Sequence, residues 1–366
     1  MRENILRLTD IPAHIPVMRP ALPTADKLTR FLQEIDEGRL YSNFAPLCNR
    51  LSELLAIQFN VEPENVLLVT NGTLALQAAV ATATKSNSTW TIPAWTFVAS
   101  AQAVVSAGSK FVLEDVAEES WTLEPGTRRA SDGVMVVAPF GDEPDLISWA
   151  AESNHRPILI DAASCFDACR NLQLVNKYNI AVMVSLHATK LVSTGEGGVI
   201  VGPKPWIADM RRWTNFGFCG DRIARDIGTN AKMSEYQAAV GLASLDMWSD
   251  TRVLWQEASQ NMKTALEGAS VKCQPAIGKG FVTSTMVADF SSPEQKIRAV
   301  SAFESARIGT RDWWGGGIHQ MPAFKGISKS GLGVTDSLAA RTTGVPLFID
   351  MTSEHIDRIS QAVSCL

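Results

Sequence analysis

In the stretch AVMVSLHATKLVSTGEGGVIVG, residues 181 to 202, a β-branched apolar run stops at Ser185 and a lone lysine follows at position 190. A glycine-rich turn then carries Thr194, Gly195, Glu196, Gly197 and Gly198. An amine held in a partly desolvated pocket loses some preference for the ammonium form, and the neutral amine attacks an aldehyde or ketone to give a Schiff base. The competing reading of Lys190 is a solvated loop cation ahead of a glycine turn. The segment by itself leaves both open.

Upstream, PILID (residues 157 to 161) is a second short apolar run, ending in Asp161 and followed by Ala162, Ala163 and Ser164. The two runs deliver an acid and a lysine 29 positions apart, 190 minus 161. A carboxylate at such a strand end can sit beneath a pyridinium nitrogen and keep it protonated, so that the ring withdraws electrons from a carbanion. It can equally cap a following helix, and the two roles compete for the same oxygens. A third element, VLLVTNGTLALQAAVATAT (66 to 84), reads as a strand, a turn at Asn71 and Gly72, and an alanine-rich helix from about Thr73. The first amides of a helix lack internal partners and carry its positive pole, so this junction accepts phosphate. Gly72 lets the backbone approach, and the Thr73 hydroxyl can donate. The GxxxxGK[ST] pattern of nucleoside triphosphate sites is missing here, which favours a small bound phosphate.

Taken in order, NGTLALQAA, TIPAWTFVASAQAVVSAGSKFVLEDV, ILIDAAS, SLHATKLVSTGEGGVIV and GTNAKMSEYQAAVGLASLD resemble the motifs of the DegT/StrS sugar aminotransferases, which are fold-type-I enzymes using pyridoxal 5′-phosphate. IGTRDWWGGGIHQMPAF and SLAARTTGVPLFIDMTSEHIDRISQAV resemble that family's C-terminal region, so the likeness runs from about Arg19 to the end of the chain. The resemblance implies that Lys190 is the Schiff-base lysine and Asp161 the partner of the pyridine nitrogen. It further implies that Gly72, Thr73 and Ser185 bind the phosphate and that Phe97 covers the cofactor ring. Trp95 is a candidate for the substrate cleft. Asn230 matches an asparagine that reaches the phosphate from a second subunit, which implies a homodimer with shared active sites. Ser164 stands where the family commonly has a glutamine that contacts the ring hydroxyl. WWGGG (313 to 317) departs from the more frequent proline-containing approach to His319, which bears on substrate identity more than on reaction type. Arg311, Trp313, Trp314 and His319 bracket three glycines and are candidates for reading the acceptor, the alternative being a surface loop with one tucked tryptophan.

The elements that must position these groups follow from periodicity. Apolar strands are expected near 66 to 70, 88 to 92, 110 to 114, 134 to 138, 157 to 161, 181 to 185 and 197 to 201, alternating with helical patterns. That is the pattern of an α/β domain, a mostly parallel sheet sandwiched by helices, with functional groups at its strand ends. A proline-rich extended lead precedes an amphipathic helix ending near Gly38, and a long helix is expected over 233 to 248. The domain change is placed near Asp250: residues 1 to 250 form the large cofactor-binding domain with its N-terminal entrance segment, and 251 to 366 a smaller C-terminal α+β domain. In that part a strand is expected around 281 to 289 and helices around 293 to 305 and 352 to 364.

With 366 residues, 46% hydrophobic and 19% charged, the chain can bury a large core. A net charge of −5 with dispersed basic residues gives no footprint for nucleic acid. MRENILRLTD lacks the apolar core of a signal peptide and no run approaches a membrane span, so a soluble, cytoplasmic protein is expected. The six cysteines, Cys48, Cys165, Cys169, Cys219, Cys273 and Cys365, lack metal-ligand pairing and read as reduced thiols. No metal site is expected.

These readings converge on transamination in two halves. The resemblance implies L-glutamate as donor and a nucleotide-linked keto sugar as acceptor, with a dTDP-4-keto-6-deoxyhexose favoured and amination at C3 of a 3-keto sugar close behind. GDP- and UDP-sugars stay open, and a cyclitol or aminobenzoate-forming aminotransferase is the nearest rival. A dehydratase of the same fold would carry histidine in place of Lys190. A non-catalytic regulatory paralogue has no chemical reason to keep Lys190, Asp161, Thr73 and Asn230 together.

Overall fold

The computed structural model describes residues 13–126, 130–329 and 331–364; MRENILRLTD and Cys365 lie outside them. Helices α1 (Ala25–Gly38) and α2 (Pro46–Phe59) precede strand β1 (Val66–Val69). Then follow α3 (Gly72–Ala83), β2 (Thr89–Pro93), α4 (Val98–Ser106), β3 (Lys110–Glu114), β4 (Gly133–Val137), α5 (Leu146–Ser153), β5 (Ile158–Asp161), β6 (Ile180–Ser185), β7 (Gly198–Val201) and α6 (Lys204–Trp213). These seven strands form one sheet in the order β1-β7-β6-β5-β4-β2-β3. Strands β6, β5, β4, β2 and β3 pair in parallel, and β7 alone runs against its neighbours, with Ser185 opposite Gly198 and Val69 also opposite Gly198.

Both faces of the sheet are apolar because alternate residues point to opposite sides. Val134, Val136, Ile158, Ile160, Val182 and Val184 pack into one cluster with Leu51 and Leu55 of α2. Their neighbours Met135, Leu159, Ala181 and Met183 join a second cluster with Leu76 of α3, Val104 of α4 and Ile207 of α6. Each such buried aliphatic side chain contributes roughly 1.5–3 kcal/mol relative to exposure. A charged residue at Val182 would therefore break the sheet at its centre.

The remaining elements are α7 (Glu235–Asp246), α8 (Trp248–Gly268), β8 (Lys272–Cys273), β9 (Met286–Asp289), α9 (Pro293–Ser305), α10 (Gly333–Arg341), β10 (Thr342–Val345) and α11 (Ser353–Ser364). The helix expected over 233 to 248 starts later, at Glu235, because Ser234 and Gln237 close a capping box there. The strand expected from 281 shortens to β9, since Val282 N–H donates to the Asp167 carboxylate and Thr285 N–H to Thr283 Oγ1 instead of to a strand. β9 is the centre of an antiparallel three-stranded sheet, β10-β9-β8. Asp250 falls in the first turn of α8. Among the described residues no helix is long and apolar enough to cross a membrane, and no cluster of three His, Cys, Asp or Glu is placed to hold a metal ion.

Candidate active site

A cavity of about 720 Å³ opens over the carboxyl ends of β4, β5 and β6. Its walls bring together Gly72, Thr73, Phe97, Asp161, Ser164, Ser185 and Lys190, drawn from 119 positions of sequence (190 minus 72 plus one). Parallel strands end on the same side of a sheet, and their loops meet there.

Lys190 lies in the hairpin joining β6 to β7. That loop is held by its own backbone: Leu186 N–H donates to Gly197 O at 2.9 Å, Ala188 N–H to Gly195 O at 2.7 Å and Lys190 N–H to His187 O at 2.9 Å. Lys190 Nζ donates to Ser164 Oγ at 2.7 Å. Burial pushes the ammonium below its ordinary range, with Asp161 and then Cys165 pulling the other way. The solvated-cation reading of Lys190 does not describe this environment.

Asp161 closes β5 and is 5% exposed. Its carboxylate accepts from Ser100 Oγ at 2.9 Å and from Ala163 N–H at 3.2 Å. No helix follows, so the capping alternative reduces to one local turn. Burial raises this carboxyl, opposed by Ser100, by the Ala163 amide and by Lys190. Among the described residues no cation pairs with it directly. A buried carboxylate with only neutral donors is stabilised by any cation that enters beside it.

At the other end of the cavity Asn71 Oδ1 accepts from Leu74 N–H at 2.9 Å and Asn71 O from Ala75 N–H at 3.2 Å. The Gly72 and Thr73 amides precede these bonds and are the uncommitted donors of α3. The helix reaches the end of β6 because β7 carries glycine at its first position. A Cβ on Gly198 would stand 2.7 Å from Gly72 N and 2.8 Å from Asn71 C. Ser185, facing this junction, accepts from His187 N–H at 3.3 Å.

The residues thus fit pyridoxal phosphate. An anion-accepting helix terminus, a buried carboxylate short of a cation and an amine whose charged form burial disfavours share one cavity, with Phe97 half exposed beside them.

The opposite wall is aromatic. Arg311, Trp313 and Trp314 line the cavity, and Trp314 stacks on Phe140 with ring centroids 4.1 Å apart. Phe140 holds a left-handed backbone (φ 48°, ψ 36°), a conformation costing about 1–2 kcal/mol in a side-chain-bearing residue. Two expectations change here. Trp95 does not line the cavity; it is 4% exposed and packs edge-on against Trp314 at 5.3 Å, so it buttresses the wall from behind. His319 does not line it either, because its Nε2 is turned to Asp336 Oδ1 at 2.9 Å. Asn230 is exposed and outside the cavity, on the loop where Asn215 and Asn230 form an isolated bridge.

The sequence reading missed several lining residues. His187, Thr189 and Glu196 sat within the lysine segment already singled out; His187 Nδ1 lies 2.9 Å from Thr189 Oγ1 and Nε2 3.6 Å from Glu196. Phe140, Thr285 and Met18 come from distant loops with no local motif to betray them.

The model of the DegT/DnrJ/EryC1/StrS aminotransferase family matches residues 26–364. Protein Rv3402c of Mycobacterium tuberculosis is 26% identical over 372 residues, 95% of this chain and 89% of the relative. The dTDP-4-amino-4,6-dideoxy-D-glucose transaminase of Shigella dysenteriae is 31% identical over 238 residues, 63% of this chain and 64% of the relative. A crystal structure of a putative PLP-dependent aminotransferase from Bacillus cereus superposes with a TM-score of 0.87 at 24% identity, covering 96% of this chain and all of the other.

Proposed function

We propose that this chain, which belongs to the DegT/DnrJ/EryC1/StrS aminotransferase family and is a pyridoxal phosphate-dependent aminotransferase, moves an amino group from L-glutamate to a keto sugar carried on a nucleotide. The favoured acceptor is a dTDP-4-keto-6-deoxyhexose. The observation that carries the reaction is the meeting of Asp161, at the end of β5, and Lys190, in the hairpin after the adjacent parallel strand β6, in one cavity with the α3 terminus. The acceptor rests on the Shigella relative, named for a dTDP-linked 4-amino-4,6-dideoxyglucose.

In this reading the Gly72 and Thr73 amides and the Thr73 and Ser185 hydroxyls would hold the phosphate, and Phe97 and Ser164 would contact the ring portion of the cofactor. When bound, the cofactor supplies an electron sink for the charge left on the donor's α-carbon. Asp161 holds the proton on the ring nitrogen, and that positive charge answers the burial of its own carboxylate. Lys190 Nζ, low in proton affinity through burial, accepts the α-proton and returns it on the other side of the transfer. Ser164 Oγ, 2.7 Å from Nζ, fixes the amine between these positions. The same groups act in reverse on the acceptor, which gives ping-pong kinetics.

The reading includes a second copy of this chain, with Asn230 reaching the partner's phosphate. The loop carrying Asn230 displays Phe216, Ile223 and Ile227 at 44%, 61% and 94% exposure, an apolar surface that a partner would cover. It also divides the work near Asp250: residues up to 250 hold the cofactor, and Thr285, Arg311, Trp313 and Trp314 from the smaller C-terminal part face the substrates. A cytoplasmic setting accompanies the reading, supported by unpaired Cys48, Cys165, Cys169, Cys219 and Cys273.

The test is amino transfer from L-glutamate to a panel of dTDP-, GDP- and UDP-linked 3-keto and 4-keto sugars and a cyclitol ketone, with the aminated carbon located by NMR. Amination at C4 of a dTDP-4-keto-6-deoxyhexose is expected. Preference for the cyclitol ketone would overturn the acceptor assignment and leave the aminotransferase chemistry standing.

A further inference from the structure

We infer that Arg311 anchors the α-carboxylate of the amino donor, and not the diphosphate of the acceptor. The inference rests on the aminotransferase reading above for the existence of a donor. Arg311 lines the cavity that holds Lys190 and Asp161. Its backbone is fixed to β10, where Arg311 N–H donates to Gly344 O at 3.0 Å and Gly344 N–H to Arg311 O at 2.8 Å. The guanidinium carbon stands 5.1 Å from the centroid of the Trp313 ring, which orients the cation without neutralising it. Trp313 can take that position because residue 344 is glycine: a Cβ there would come within 2.1 Å of the indole nitrogen.

No carboxylate answers this charge among the described residues. The adjacent acid, Asp312, is committed elsewhere: Lys296 Nζ donates to its Oδ2 at 3.0 Å and Thr343 Oγ1 to its Oδ1 at 2.7 Å. Arg311 is thus a held but unpaired guanidinium whose planar fork matches a carboxylate in shape and single charge. A diphosphate diester carries about two charges on tetrahedral groups and calls for more than one such donor. Among the described lining residues the other lysine or arginine is Lys190, whose ammonium form burial disfavours, and Glu196 adds a carboxylate. With its carboxylate held by Arg311, a donor amino acid has its α-carbon constrained relative to Lys190 Nζ, which is what proton removal requires.

The test separates the two half-reactions in the cofactor-loaded protein. Arg311→Met keeps an unbranched side chain over Trp313 and removes the fork; Arg311→Gln carries the same comparison should the first variant fail to fold. L-Glutamate is compared with 4-aminobutanoate, which lacks the α-carboxylate, by following cofactor absorbance. Calorimetric titration with 2-methyl-L-glutamate, which has no α-proton to lose, reads donor engagement up to but not including proton removal. The variant is expected to need roughly ten- to a hundredfold more L-glutamate and to weaken 2-methyl-L-glutamate by the same factor. The 4-aminobutanoate response and the acceptor half-reaction should hold, and Arg311→Lys should recover part of the loss. An unchanged glutamate half-reaction with a weakened acceptor half, or equal losses for both donors, would overturn the assignment. A wild type that reacts with glutamate and aminates no keto sugar would sink the acceptor reading alone, leaving Arg311 to be decided by the donor ratio.

Discussion

The two walls of the cavity are built by different forces. On the cofactor-facing side, Asp161 and Ser185 end strands of a hydrogen-bonded ladder and Lys190 sits in a hairpin closed by three short backbone bonds. On the facing side, Phe140, Trp314 and Trp95 meet through ring contacts, with the Ile318 N–H to Ala94 O bond at 2.9 Å joining the two tryptophan loops, and among the described residues the Trp95 and Trp313 indole nitrogens are buried without partners. A ladder tolerates little displacement, whereas stacked rings slide at small cost. The side that must hold the reacting atoms is therefore the stiff one, and the side that must admit substrates is the deformable one.

The strongest test of this contrast is Lys190→Ala. A small residue in the hairpin leaves its backbone bonds intact, so the fold and melting temperature should hold while transamination falls at least about a thousandfold. Borohydride reduction and peptide mapping on the wild type should place the cofactor on Lys190, and label on another lysine would remove the stiff wall from the chemistry. Next in size is Asp161→Asn, expected to cost roughly a hundredfold in turnover with cofactor still bound. Asp161 holds the Lys190 ammonium up, so its loss should lower that group further. In the cofactor-free protein, amine labelling of Lys190 should then reach half-maximum at a lower pH than in wild type. Unchanged turnover would reduce Asp161 to a turn residue.

If Asn230 reaches the partner's phosphate as proposed, Asn230→Asp sharpens the comparison there by setting a carboxylate toward it. A loss of roughly ten- to a hundredfold is expected, and mixing this variant with Lys190→Ala should restore activity in mixed dimers, each holding one intact site. A monomeric active enzyme would refute the shared site. Trp314→Ala should act on stability first, by about 3–5 kcal/mol, and on the acceptor half-reaction more than the glutamate half. Equal effects on both halves would mean that the aromatic wall is as rigid as the ladder. The smallest effect is expected from His319→Ala. With its Nε2 committed to Asp336, this ring should change both half-reactions alike and only a few-fold. A loss confined to the acceptor half would return His319 to the substrate side.

This contrast also explains what the sequence made legible. All seven strands of the large sheet were readable from apolar runs, since burial on both faces leaves few polar residues in them, and the groups at their ends came with them. Helix α2, whose apolar and polar positions are weakly segregated, and the short strands β8 and β10 gave no comparable signal. Trp95 and His319 were misplaced for a related reason. Sequence adjacency to Phe97 and Trp314 says nothing about which face a loop side chain takes, and that was decided by partners at Trp314 and Asp336. Phe140 entered the cavity through a left-handed turn that no spacing rule announces.

Gly198 gives the stiff wall a further property. Because β7 touches the Asn71–Gly72 peptide with no side chain between, the helix terminus and the lysine hairpin share one contact surface. Any drift in the chain that enlarged residue 198 would shift both at once, so the two cannot be retuned separately. Within this architecture, new acceptors are open to gradual change one ring at a time, while the reaction itself is inherited whole.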